Sequence, residues 1–457
     1  MELTKGNIVS KFLYWWFWIS TCYGFVCDEF LSTDLCNTVE QLMLLSSNAA
    51  FLLLGLITIR HKLDIAIAIS YVTISFICTC IINHLSPITW LNGSRIFWGL
   101  IFTVPIFRFI CNNETLRNNF VKKFDKTLLI WLYVQAFCIT WQYFEYGAGD
   151  PGGGSFGTKG FSGTVSICIY LISLYLIRKH LDNQNLWRSI AANWKYLALL
   201  IPTFMNETKI SFILLALYLI LLIPINKKTA KRLLIGIPVI VGILAGAILL
   251  FTSLTMYNGD FTADDVFSVN FLEKYMYADF EESEGNAKYG LETENQLPDI
   301  PRITKIAFLP ILLDQEGGNA LFGFGVGHFM TGSFFGTTEL YENWDWLLVG
   351  TSPMIFLVFV QLGILGCIWT TFVWITWFTS HPKPFDKRDI NIQLFIIAII
   401  VGMLIYGPLF RDMNFCYIVI AILYFSWEKK AQKPLKHIDT TDNSTGTQKP
   451  AYLISQP

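Results

Sequence analysis

Charge is what this chain has least of: Asp, Glu, Lys and Arg make up only 15% of its 457 residues, against about a quarter in soluble domains. So few ionised groups cannot cover a water-facing surface of that length, which excludes an ordinary soluble globular protein. Histidine is equally sparse, with six residues scattered at His61, His84, His180, His328, His381 and His437. No His or Cys spacing sets out a zinc or haem site, so neither a metal nor a cofactor is expected. A cleavable signal peptide is lacking too, because the first apolar stretch, 12–26, is dense in Trp and Phe and has no small-residue cleavage site. The net charge of −1 selects no partner, and nucleic acid is not expected.

What the chain has instead is apolar residues, 53% of the total, gathered in runs close to the length that crosses a bilayer. Candidate spans fall at 12–27, 40–59, 63–84, 96–111, 127–144, 162–178, 194–205, 210–225, 232–252, 352–378, 390–408 and 414–427. Basic clusters at 60–62, 117–126, 178–180, 227–232, 383–388 and 428–430 occupy alternate loops. Cytoplasmic loops carry the excess of Lys and Arg, which places these clusters and both termini in the cytoplasm. The expected fold class is an all-α polytopic membrane protein of about twelve transmembrane helices, with one large outer loop between helices 9 and 10. Residues 1–252 hold helices 1–9, 253–351 the loop, 352–428 helices 10–12, and 429–457 a disordered cytoplasmic tail.

The outer face receives most of the chemistry-bearing residues. Its cations are few: Arg95, Lys159, Lys209, Lys274, Lys288, Arg302, Lys305 and Arg411. Arg302 follows the rigid PDIP and precedes TKIAFLPILL, which predicts the start of an amphipathic helix along the membrane surface. Arg411 lies in LFRDMNF, at the outer mouth between the last two spans. A guanidinium offers a fork of donors suited to phosphate, yet each Arg also has an acidic neighbour to pair with, Asp299 or Asp412. Glu207 and Lys209, in PTFMNETKIS, either face a cavity or sit exposed in a tight outer turn.

His328 follows the glycines of LFGFGVGHF (321–329). That run follows no clear strand and sits in no βαβ unit, so it predicts a backbone turn packed on the membrane domain rather than a dinucleotide site. His328 itself is either a base or a satisfied surface histidine. The glycine-rich stretch 143–163 either brings backbone N–H groups to a ligand or is a flexible turn. YENWDWLLVG (341–350) suits an interfacial aromatic belt and sugar stacking alike. Cys27 and Cys36 flank one outer loop, where an oxidising compartment would allow a disulfide.

LFGFGVGHF, the polar and aromatic residues after it, and TSPMIFLVFVQLGILG (351–366) together resemble the O-antigen ligase and polysaccharide polymerase superfamily. In that group a large periplasmic loop precedes a helix with a Gln-x-Gly-x-x-Gly-like step, here Gln361, Gly363 and Gly366. ETKISFILLAL (207–217) is similar to the group's Ser/Thr-Arg-x pattern, with Lys209 in place of Arg. Recognisable pieces cover 200–425. Ser352 and Pro353 stand where ligases of the group carry His and its polar neighbour, so the resemblance implies a polymerase before a ligase.

The resemblance implies a metal-independent glycosyltransferase of the bacterial inner membrane, joining repeat units of O-antigen, capsule or exopolysaccharide. Its implied partners are polyprenyl-diphosphate-linked glycan, membrane lipid, a chain-length regulator and a flippase. Arg302, Lys209 and Arg411 would stabilise charge developing on the departing diphosphate, and Glu207 or His328 would take the proton of the attacking hydroxyl. A transporter and a non-catalytic assembly factor are the competing classes. The first draws on the broken pair around 202–209, since discontinuous helices with buried charge mark substrate sites.

Overall fold

The computed structural model describes residues 2–147, 152–158, 162–181, 185–206, 210–223, 302–329, 338–344, 347, 352–379, 389–407 and 413–426. Among these every element is a helix and none is a strand. Long apolar runs follow that rule because a helix pairs its backbone groups without help from water. Helix α1 spans Glu2–Phe30, α2 Thr33–Thr58 and α3 Lys62–Phe76, the last continuing as a π-helix over Ile77–Ile82. α4 (Pro87–Ser94) and α5 (Trp98–Cys111) are one broken span, joined by a 3-10 turn at Arg95–Phe97. α6 covers Glu114–Tyr146 and α7 Ser162–His180.

Two short helices, α8 (Leu186–Ala192) and α9 (Lys195–Ala198), and a 3-10 turn at Ile201–Phe204 lead to α10 (Ile210–Leu222). The later elements are α11 (Arg302–Ala307), α12 (Leu309–Gln315), α13 (Glu339–Trp344), α14 (Met354–Thr379), α15 (Ile390–Tyr406) and α16 (Met413–Phe425). Polar caps set several starts. Ser86 accepts from the Thr89 amide ahead of Pro87, Asn113 from that of Leu116, and Asp389 from that of Asn391.

Among the described residues, six segments are long and apolar enough to cross a membrane: Thr33–Thr58, Lys62–Ile82, Pro87–Cys111, Glu114–Tyr146, Ser162–His180 and Met354–Thr379. The apolar helices at Lys195–Phe204, Ile210–Leu222, Ile390–Leu404 and Asn414–Phe425 are shorter. The expected ninth span, 232–252, lies outside the described residues.

Burial sorts the helices into layers. α7 is buried without interruption from Val165 to Ile177, and α16 from Phe415 to Phe425, so both are interior. α2 and α3 instead expose Leu42, Leu53, Leu56, Ile65, Ile69 and Val72. Water would penalise such apolar faces, whereas lipid tails match them. Aromatic contacts tie the interior together, with Trp16 4.6 Å from Phe51 and Phe107 5.1 Å from Tyr417. Ion pairs fasten helix ends: Asp64 at the start of α3 to Arg108 near the end of α5 (2.9 Å), and Arg178 of α7 to Asp389 before α15 (2.9 Å). Lys179 meets Asp125 of α6 at 2.8 Å. The basic residues of the last two pairs belong to the cluster 178–180.

Candidate functional site

The glycine run 321–329 is sewn into irregularities of three helices. α14 breaks at Gly363, whose φ of +63° and ψ of −159° are not helical. A break strands backbone groups in a setting without water, and the run supplies their partners. Ile364 and Leu365 donate to the carbonyls of Ala320 and Leu321 at 3.0 and 3.1 Å, and Phe324 donates to that of Val360 at 2.8 Å. A side chain at Gly363 would reach within 2.5 Å of the Leu321 backbone, so only glycine fits.

The π-turn of α3 is the second partner: the Thr79 hydroxyl accepts from the Val326 amide at 2.9 Å, and Asn83 donates to the Gly323 carbonyl at 3.1 Å. α4 is the third, where Gly93 and Gly327 approach so closely that a Cβ on either would collide with the other strand of backbone. Gly323 to Gly327 are all buried, which is the packed backbone turn expected from the sequence.

His328 ends this turn half-buried. Its Nδ1 lies 3.2 Å from the Phe324 carbonyl oxygen, which requires a proton on Nδ1 and leaves Nε2 as the acceptor. Burial pushes the imidazole down from its ordinary value of 6.5, against the opposing pull of the Phe324 carbonyl, Glu316 and Glu339. A folded value below the unfolded one means that the unfolded chain takes the proton first. Acid therefore weakens the packed turn, beginning as pH falls through the ordinary value. Proteolysis within 319–329 is expected to quicken between ~pH 7.5 and ~pH 5.5, and His328→Gln to flatten that dependence.

Beside the turn lies a second apolar cluster that includes Phe308, Leu312, Phe329, Leu340, Trp344 and Phe356. It changes two expectations. Trp344 is neither a belt residue nor a sugar platform, being buried with its Nε1 donating to Glu316 at 2.6 Å. The segment 304–312 has the amphipathic spacing foreseen, but the buried face carries Thr304, Lys305, Phe308, Leu309 and Leu312, and α11 packs against α14 and α15.

Of the five candidate catalytic residues, only His328 has a described side chain. Arg302 opens α11, with its side chain outside the described residues. Glu207, Lys209 and Arg411 lie outside them altogether. Two cations that the sequence marks only as outward, Arg95 and Lys305, are buried, at 7% and 0% exposure. Their signal was an apolar setting, as in SRIFWGLI and TKIAF. The Gly93–Gly327 contact puts Arg95 two residues, and His328 one residue, from a single backbone junction.

The other glycine stretch is committed to packing. Residues 152–157 are buried between α1 and α6, so this part is not a flexible turn. Its amides face side chains rather than a ligand: Gly154 donates to Gln142 at 2.7 Å and Ser155 to Gln135 at 2.9 Å. Thr158 donates through its amide and its hydroxyl to Asp28, at 2.5 and 3.1 Å. Asp28, Cys36 and Glu40 hold three metal-type donors within 4.8 Å of one another. Asp28 is nevertheless engaged by Thr158 and by the Cys36 thiol, which donates to it at 3.3 Å. Cys27 and Cys36 are both thiols, not a bridged pair.

No family model, curated protein or solved structure matches this chain.

Proposed function

We propose that this chain is a polytopic polysaccharide polymerase of the bacterial inner membrane, with twelve spans, both termini cytoplasmic and 253–351 periplasmic. It joins oligosaccharide repeat units carried on polyprenyl diphosphate. One observation supports this reading above the others. The glycine run and the Gln361–Gly363–Gly366 step, the two motifs that carry the resemblance, pack together through reciprocal backbone bonds.

In the reaction a hydroxyl of the acceptor sugar attacks the anomeric carbon of the donor glycan. The new C–O bond forms as the bond to the diphosphate breaks, and the diphosphate leaves with the electron pair. His328 Nε2 or Glu207 takes the hydroxyl proton, while Arg302, Lys209 and Arg411 offset the growing negative charge. Transfer of finished glycan to a lipid core is a weaker alternative, because buried Ser352 occupies the position where ligases of the group carry His. Arg302→Ala is expected to abolish long polymer at unchanged protein level, read as surface glycan resolved by length on a gel. Unchanged chain length would remove Arg302 from the mechanism.

A second reading, transport of a lipid-linked sugar, draws on the discontinuity of α14 and of the α4–α5 span. Deleting the gene separates the two. A polymerase loses the ladder and keeps single repeat units at the surface, whereas a transporter traps its substrate inside.

A further inference from the structure

Among the described residues, Arg95 is a buried cation without a counter-charge. It sits in the 3-10 turn between α4 and α5 at 7% exposure, and among the described residues no carboxylate or carbonyl is within hydrogen-bond reach of its guanidinium. Eight residues separate it from the start of α4 at Pro87, about 12 Å along the helix axis. A charge without a partner in so apolar a setting is costly and favours a compensating anion. One turn earlier Asn92 is also buried, and its amide oxygen accepts no hydrogen bond. Residues three apart share a helix face.

The surroundings hold this turn in place. Tyr71 donates to the Ser94 carbonyl at 2.8 Å, the tilted rings of Tyr71 and Phe97 lie 5.3 Å apart, and Gly93 abuts Gly327 of the packed run. The turn is thus held by its neighbours while its charge is unmet, which is the condition of a side chain preorganised for a ligand.

We propose that Arg95 and Asn92 form the binding site for the phosphate end of a lipid-linked sugar. Arg95 takes the phosphate oxygens, and the Asn92 carbonyl accepts from a ligand hydroxyl. This rests on the lipid-diphosphate reading given above and adds to it a residue pair that the motifs do not include. The experiment uses the full chain in detergent, with farnesyl diphosphate, inorganic pyrophosphate and farnesol as probes and thermal unfolding as the readout.

Farnesyl diphosphate is expected to raise the wild-type Tm and farnesol to leave it unchanged. A rise with pyrophosphate alone as large as with farnesyl diphosphate would assign the site to a free anion and overturn the lipid part of the proposal. Arg95→Gln should weaken farnesyl diphosphate binding roughly tenfold to a hundredfold, with Arg95→Lys intermediate. Without ligand, Arg95→Gln should melt higher than the wild type, because it removes an uncompensated buried charge. A lower ligand-free Tm together with unchanged binding would make Arg95 structural and overturn the site. That result would leave the polymerase reading to the glycan ladder, which tests it separately.

Discussion

Alanine at Gly93 is expected to release residues 319–329 from α4 while the membrane helices stay formed. Gly93 lies within α4, where alanine is the better helix former by about 1 kcal/mol, so the local backbone would favour the change. Any loss must come from the contact. The new Cβ would collide with the amide of Gly327 and the carbonyl carbon of Val326, both of them backbone atoms. No side chain can turn aside, and the run must back away, giving up the Val326–Thr79 bond at 2.9 Å. Overpacking of this kind costs about 1–3 kcal/mol. Limited proteolysis of the purified protein should then cleave 319–329 roughly tenfold faster. Gly402→Ala is the control, since nothing lies within 4 Å of its Cβ position. Equal resistance in the wild type and the Gly93 variant would mean that the run is not held by α4.

The buried pair Asp64–Arg108 should give the largest single loss of stability. The two side chains are 2% and 9% exposed and 2.9 Å apart. Removing one partner leaves an uncompensated charge in a region with little water, at a cost of about 3–5 kcal/mol. Asp64→Leu and Arg108→Met should each depress the Tm and the yield of folded protein. The double variant should recover most of both, because two apolar side chains of similar bulk carry no such penalty. Neither carboxylate oxygen of Asp64 has hydrogen-bond alignment, so the attraction is mainly Coulombic. Added salt should change it little, since burial limits screening. Mild single variants, or a double variant no better than its parents, would refute this account.

The helices were legible because uninterrupted apolar runs leave the backbone no alternative. Their breaks were not. Gly363 in QLGILG and Gly402 in IVGML have similar apolar flanks, yet the first breaks α14 and the second stays helical. The difference lies in residues 320–324, distant in sequence, which offer hydrogen bonds to one break and none to the other position. The same limit applied to the aromatic segment. A Trp before an apolar span reads as interfacial, and only the partner Glu316, twenty-eight residues earlier, shows that Trp344 belongs to a core. Arg95 and Lys305 were visible as outward cations but not as buried ones, because burial depends on what packs over them. The charge count reduces the expected outer face to eight cations and gives them no order of importance.

The break in α14 also bears on how the chain is assembled. Residues 320–324 are synthesised before α14, and roughly forty residues lie between each donor and its acceptor. The run therefore lacks its α14 partners until that helix emerges from the ribosome. Until they meet, the two halves of α14 carry unpaired amides at Ile364 and Leu365, an unfavourable state for a segment entering lipid. Maturation of α14 is thus a joint event of loop and span. A chain from which residues 319–329 are deleted should insert α14 poorly even though that helix is intact in sequence.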